Sequence, residues 1–229
     1  MNNHTLAQNQ DNRLYLDVRL VVFSLHANQI HVLLVPCASP IFAGKHELPG
    51  DEITNRDSLQ EKAQNCLVDF IGPSEAYLEQ LYTYGDPQRH PACRLISVVY
   101  YALIPMNVWP AVSGKDTPGH WFAINHLPEL AMDHGEILQY ALRRLRYKLE
   151  YSAVGFELLP KYFTLSELQH TYEIILGEKL DKRNFRRRIL EAGIIEPSNS
   201  YRGGEGRPAR LYRYIPDVIA EVKARRLFP

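Results

Sequence analysis

The run "DKRNFRRR" (181–188) places five cations and one amide within eight residues. On a helix, residues three and four apart share a face. Phe185, Ile189, Leu190 and Ala192 then turn toward a core, and Lys182, Arg183, Arg186 and Arg187 turn to solvent. Asp181 stands at the helix start, where a carboxylate suits the positive end of the helix dipole. The first turn offers Lys182, Arg183 and Asn184 beside that positive end, as a recognition helix does toward phosphates and base edges. Arginine can read guanine, and asparagine adenine, in the major groove. A basic helix alone is also what an ordinary solvated surface carries. Two further features favour nucleic acid. "YRGGEGRPARLYRY" (201–214) has a Gly-rich tip, and Arg202, Arg207, Arg210 and Arg213 alternate with Ala209, Leu211 and Tyr212. That pattern gives a two-stranded wing with one packing face and one basic face. Arg207, with Pro208 beside it, is placed to enter a minor groove or clamp a phosphate. The charge is also segregated. Residues 1–139 hold 8 Lys and Arg against 15 Asp and Glu, and residues 140–229 hold 18 against 11, within a chain of zero net charge. The basic half is the expected nucleic-acid binder. Double-stranded DNA is the natural partner, because no paired aromatics stand at RNA-motif spacing.

The acidic half carries a different chemistry. Arg19, Arg89 and Arg94 are side chains of the kind that grips phosphate in fork geometry, although each also fits a surface ion pair. Glu47, Asp86, His90 and His134 are further pocket candidates, and His134 equally suits the start of a helix. These groups must be held by the surrounding elements. "LYLDVRLVVFSL" and "QIHVLLVPC", separated by "HANQ", predict a hairpin. "SLQEKAQNCLVDFI" predicts a helix with Ser58 and Glu61 as a capping box, an apolar face of Leu59, Ala63, Cys66, Leu67 and Phe70, and an end at Gly72-Pro73. "YLEQLYTYGD", "CRLISVVYYALIP" and "HWFAIN" predict strands, the second continuously apolar and therefore buried. "GEILQYALRRLRYKLEYSA" predicts an amphipathic helix with Ile137, Tyr140, Ala141, Leu145 and Leu149 inward. "FTLSELQHTYEIILG" predicts a helix capped by Thr164 or Ser166, joined by "EKL" to the basic helix.

With 229 residues the chain suits one large domain or two ordinary ones. No apolar run approaches the roughly 20 residues that span a bilayer. No cationic stretch followed by an apolar core opens the sequence, so no secretory leader is expected. Cys37, Cys66 and Cys93 fit neither a zinc spacing nor a disulfide framework, which points to a reducing, cytoplasmic location. The polar residues 1–12 are expected to be disordered.

The stretch from Leu48-Pro49-Gly50 to Gly72 resembles the Nudix box, whose helix aligns carboxylates that hold magnesium against a diphosphate. In register, Asp51 replaces the first Gly of the box, Asp57 the first Glu, Asn65-Cys66 the Arg-Glu pair, and Asp69-Phe70 the Glu-Glu pair. Leu67 and Gly72 match, and Arg56 replaces another loop Gly. Magnesium needs several hard oxygen ligands. Cys66 and Phe70 supply none, so no metal, no cofactor and no catalytic residue is expected. Roughly residues 13–215 resemble the Nudix-related transcriptional regulators of the NrtR type. The residues that carry this are "YGDPQRHPACRLISVVYYALIP", "MDHGEIL", "FELLPKYFTLSELQHTYEIILGEKLDKRNFRRRILEAGII" and "GRPARLYRY".

The resemblance implies an α+β chain: an N-terminal Nudix-like α/β/α sandwich at 13–133, a linker helix at 134–152, and a C-terminal winged helix-turn-helix at 153–229. It implies a homodimeric repressor of NAD metabolism that senses ADP-ribose or a related NAD derivative. Its expected ligand residues are Arg19, Glu47, Asp86, Arg89, Arg94 and His134. Its expected DNA residues are Thr164, Lys182, Arg183, Asn184, Arg186, Arg187, Arg207, Pro208 and Arg210. Three alternatives stay open: a regulator of sugar use answering to a sugar such as arabinose, an active ADP-ribose or nucleoside-diphosphate hydrolase drawing ligands from Glu47, Asp51, Glu52 or Asp57, and a non-catalytic interaction module.

Overall fold

The computed structural model describes residues 13–73, 76–108, 119–203 and 208–216. The tail 1–12 lies outside them. Strand β1 (Leu14–His26) turns through Ala27 and Asn28, both at positive φ (47° and 62°), into β2 (Gln29–Pro36). Two central residues in the left-handed region define the tight hairpin turn that matches strand twist. β3 (His46–Glu47) and β4 (Gly50–Glu52) flank the "LPG" segment and lead to α1 (Leu59–Ile71). β5 (Tyr77–Tyr84), β6 (Arg94–Ile104) and β7 (His120–Ala123) complete a seven-stranded sheet with the path β3-β2-β1-β6-β5. β1 and β6 pair in parallel from Leu14↔Arg94 to Ser24↔Ile104, a pairing the hairpin pattern did not reveal.

Both faces of this sheet are covered. Val18, Leu20 and Val22 alternate onto one face, beneath Ala63, Cys66 and Leu67 of α1. Val21, Phe23 and Leu25 take the other, beneath α2 (His134–Leu149). That explains why β1 and β6 read as continuous apolar runs, and it makes the first part an α/β/α sandwich. Ser58 caps α1 through Glu61 N (3.2 Å), but its hydroxyl donates to the Glu61 carboxylate (2.8 Å), so the reciprocal box is only half formed. Leu59 is exposed and Ile71 takes the inward place. On α2 the inward stripe is Ile137, Leu138, Ala141, Leu145 and Leu149. Tyr140 lies about 100° round the helix from Ala141 and is 36% exposed, contrary to its expected place.

A 3-10 turn (Val154–Leu158) leads into β8 (Phe163–Thr164), α3 (Leu165–Leu176), α4 (Lys182–Glu191), β9 (Ile195–Arg202) and β10 (Ala209–Tyr214). The strands form a separate sheet ordered β8-β10-β9. Leu168, Tyr172 and Ile175 of α3 pack with Phe185 and Ile189 of α4, and Phe156 stacks on Tyr214 (4.5 Å, 17°). Leu190 is half exposed, because Phe185 and Ile189 already define the inward stripe and position 190 falls beside it. The buried cluster under α2 runs without a break into this winged helix-turn-helix unit. Arg146 of α2 donates to the Ile175 carbonyl (2.8 Å), and Asn28 at the hairpin tip meets His170 of α3 (2.8 Å). No helix among the described residues is long and apolar enough to cross a membrane.

Candidate effector pocket and nucleic-acid interface

A cavity of about 300 Å³ opens where β1, the loop after β2 and the loop before β6 meet; Asp17, Arg19, Phe42, Glu47, Glu52 and His90 are among its lining residues. Arg19 donates from Nε to Asp17 (2.7 Å) and from Nη1 to the Leu48 carbonyl (3.0 Å), with Glu47 at 3.3 Å from Nη1. Those contacts leave Nη2 aside. Burial works against the charge on Arg19, but Asp17 and Glu47 outweigh it and raise its pKa. Phe42 and His90 meet edge to face (5.6 Å), and Cys93 Sγ lies 3.1 Å from His90 Nδ1.

The floor of this cavity is held from behind. Gly50 is required by space: a Cβ there would overlap the Val18 carbonyl oxygen and Arg19 Cδ. Met132, a lining residue, stands at φ 50°, a conformation that is strained for a side chain of this kind. Its two successors pin the turn. Asp133 takes Arg89 in a two-point grip (Nε 2.9 Å, Nη2 2.7 Å), and His134 Nδ1 accepts from Leu48 N (3.1 Å). The "LPG" mouth and the "MDHG" turn are therefore one structure.

Of the expected ligand residues, the structure brings Arg19 and Glu47 to the cavity, together with the weaker candidate His90. Arg89 is buried and gives Nε and Nη2 to Asp133 and Nη1 to Ser97, so its fork is filled by protein. His134 is fully buried and faces the backbone of the mouth. Asp86 is exposed and accepts from Gln88 N in its own turn, and Arg94 is exposed with Nη1 near the Leu95 carbonyl. Neither Asp86 nor Arg94 lines the cavity. Sequence reasoning missed Phe42 and Asp17; the loop "SPIFAGK" carried no spacing that marked the first.

Burial, with Arg19 and Arg89 nearby, holds the His134 imidazole well below its usual range. The unfolded chain therefore takes up a proton as pH falls below about 6.5 while the folded chain does not. This contribution to stability is complete above about pH 6.5 and declines below it by up to about 1.4 kcal/mol per pH unit. In urea unfolding from pH 7 to pH 5, His134→Gln is expected to flatten that decline. An identical slope would take His134 out of the account.

Around the box-like helix, Cys66 is buried, and burial, with Asp51 and Asp69 nearby, pushes its thiol up to about 12. Asp51 pairs with Lys62 (2.5 Å), and Asp57 accepts from Thr54 N and Oγ1 (both 2.8 Å). Asp69 is exposed. Among the described residues, no three His, Cys, Asp or Glu side chains converge as metal ligands.

The basic surface is built on α4. Asp181 caps it by accepting from Asn184 N (2.7 Å). Lys182, Arg183 and Arg187 are exposed, while Arg186 is half-buried and donates to Ser166 (3.0 Å). Arg187 is steadied by Asn184 Oδ1 (2.9 Å) and Glu191 (3.5 Å). The turn between α3 and α4 is fixed by Glu173, which accepts from Leu180 N (3.1 Å) and pairs with Lys179 (3.0 Å), after Gly177 ends α3 at φ 78°. Thr164 is buried, and its hydroxyl caps α3 in a complete capping box with Glu167; it positions the helix and does not face solvent. On the wing, Pro208 and Arg210 are exposed, with Arg210 along β9 through Ser198 O (3.1 Å), and Arg202 pairs with Glu167. Arg207 lies outside the described residues.

A sandwich with a cavity at its parallel-strand seam, fused to a helix-turn-helix with a basic outer helix and a wing, defines a two-domain DNA-binding regulator. The family model described as the NrtR DNA-binding winged helix domain matches residues 155–214. The ADPR responsive transcriptional repressor NtrR of Acinetobacter baylyi is 33% identical over 203 residues, 87% of this chain and 81% of that protein. The structure of Shewanella oneidensis NrtR complexed with a 27mer DNA superposes with a TM-score of 0.82 at 32% identity, covering 90% of this chain and 95% of that one. An ADP-ribose pyrophosphatase of Methanocaldococcus jannaschii is 26% identical over 132 residues, 57% of this chain and 77% of that enzyme. The chain belongs to the NrtR family of Nudix-related transcriptional regulators.

Proposed function

We propose that the protein is a repressor of NAD metabolism that binds operator DNA as a homodimer and releases it on binding ADP-ribose or a related NAD derivative. The domain from residue 13 to 133 is the sensor, α2 with the turn after it (134–152) connects, and the domain beginning at residue 153 holds DNA. The observation that carries this reading is the 33% identity to an ADPR responsive repressor along 87% of the chain, across both domains. The cavity chemistry supports it. Arg19 offers Nη2 to a diphosphate, Phe42 offers a ring face to a base, and Glu47 and Glu52 can accept from ribose hydroxyls. The same carboxylates suit any polyol, which makes arabinose the proper competitor.

Hydrolysis is not part of this reading. Of the box positions that would cage magnesium, Cys66 is a buried thiol and Phe70 a half-buried ring, Asp69 alone keeps a carboxylate, and Asp51 and Asp57 are held by Lys62 and Thr54. α2 ties the sensor sheet to the DNA-binding unit: Lys148 donates to Tyr77 (2.6 Å) and Tyr101 (3.3 Å) and pairs with Glu79 on the sheet, and Arg146, two residues earlier, holds α3. The effector shifts the DNA-bound state only by binding the other state more tightly. Calorimetry should show saturable, one-to-one binding of ADP-ribose per chain, none of arabinose, and no turnover with magnesium. Steady magnesium-dependent cleavage would assign the chain to the hydrolases instead.

A further inference from the structure

The outward side of α2 adds exposed tyrosines to the charged surface that a helix resting on a sheet normally shows water. Tyr140 and Tyr147, seven residues apart, share one stripe and are 36% and 57% exposed. Arg143 lies between them with its guanidinium 5.8 Å above the Tyr140 ring. Beside Tyr140, at 6.0 Å between rings, stands Tyr82, 59% exposed, at the bulge of β5. β5 ends the sheet, and no described strand pairs with its outer edge. A continuous aromatic surface therefore runs from the last strand onto the helix. Tyrosine and arginine are the residues enriched where interfaces lose their water.

The charges on this stripe say what covers it. Glu136 stands one turn before Tyr140, and Arg143 about one turn after it; both are exposed. When two such helices cross antiparallel about a two-fold axis beside Tyr140, position 136 of each falls opposite position 143 of the other. Glu136 then meets the partner's Arg143 twice, once on each side of the axis. A surface that complements itself in this way fits a second copy of the same chain, as an isologous contact requires. We propose that α2 and the outer edge of β5, centred on Tyr82 and Tyr140, form the homodimer interface. The inference rests on the homodimer reading above and assigns that reading its surface. It also puts the subunit contact on the helix that joins the sensor sheet to α3, so a small rotation of α2 changes the spacing of the two basic helices.

Sedimentation equilibrium of the full chain over a concentration series tests it. Glu136→Arg alone and Arg143→Glu alone each place like charges opposite one another twice, so each is expected to weaken the dimer on the order of 10- to 100-fold. An equimolar mixture of the two variants is expected to recover the dimer, because each copy supplies the charge the other lacks. Recovery also shows that the variants remain folded. Dimers of both single variants as tight as the unaltered chain's, or a mixture that stays monomeric, would overturn the assignment. An unaltered chain that is monomeric throughout, with and without operator DNA, would overturn the homodimer reading itself.

Discussion

Replacing Arg183 and Arg187 together by alanine should lower affinity for operator DNA by about 100-fold and reduce the slope of log K against log salt by about 2. Both guanidinium groups are exposed on the outer face of α4, within two turns of a helix N-terminus that Asp181 caps. A cation that neutralises a phosphate releases counterions, and its loss removes roughly one unit of that slope. Arg187 is already tethered by Asn184 and Glu191, so it enters the complex with less side-chain freedom to lose. The paired change leaves Phe185 and Ile189 untouched, and the fold should stand. Arg56→Ala, an exposed cation on the sensor loop, is the matched control and should change neither number. Anisotropy titrations at several salt concentrations read both quantities. An unchanged affinity would take α4 out of the DNA interface.

The largest loss of stability is expected from Arg89→Ala, about 3 kcal/mol. The side chain of Arg89 is 1% exposed, and that of its partner Asp133 is 20% exposed. Removing the guanidinium leaves a carboxylate poorly solvated and unpaired, and the partial exposure of Asp133 puts the cost at the low end of the usual 3–5 kcal/mol for a broken buried pair. The damage extends past the pair. Asp133 follows the strained Met132 and precedes His134, which holds the Leu48 amide. Without Arg89 the strained Met132 turn loses one of its two side-chain pins and keeps only His134 on the Leu48 amide, so the cavity wall loosens. Arg89→Lys should recover only part of the loss, because an ammonium cannot span both carboxylate oxygens. Urea unfolding of the three proteins measures it. A loss below about 1 kcal/mol would mean that the grip is an ordinary surface pair.

Local chemistry was legible in the sequence wherever one segment carried its own signal. The cap at Thr164, the end of α1 at Gly72, the hairpin turn at Ala27-Asn28 and the outward cations of α4 all follow from neighbours within a few residues. Helix stripes are legible to within one position, which is why the spacing places Tyr140 and Leu190 inward while the fold turns them outward. The role of an arginine was not legible. Arg19, Arg89 and Arg94 look alike in sequence, yet one reaches the cavity, one is consumed by a carboxylate 44 residues away, and one is exposed. Such fates depend on long-range pairing, here the parallel register of β1 with β6 and the fold of "MDHG" under "LPG".

The central claim is that one chain couples an NAD-derived effector to DNA release. It is tested most directly by fluorescence anisotropy of a DNA fragment from upstream of the protein's own gene, with ADP-ribose titrated into the preformed complex. The predicted result is specific binding that ADP-ribose abolishes, while arabinose at the same concentration leaves it intact. Specific binding that persists at saturating ADP-ribose would contradict the account.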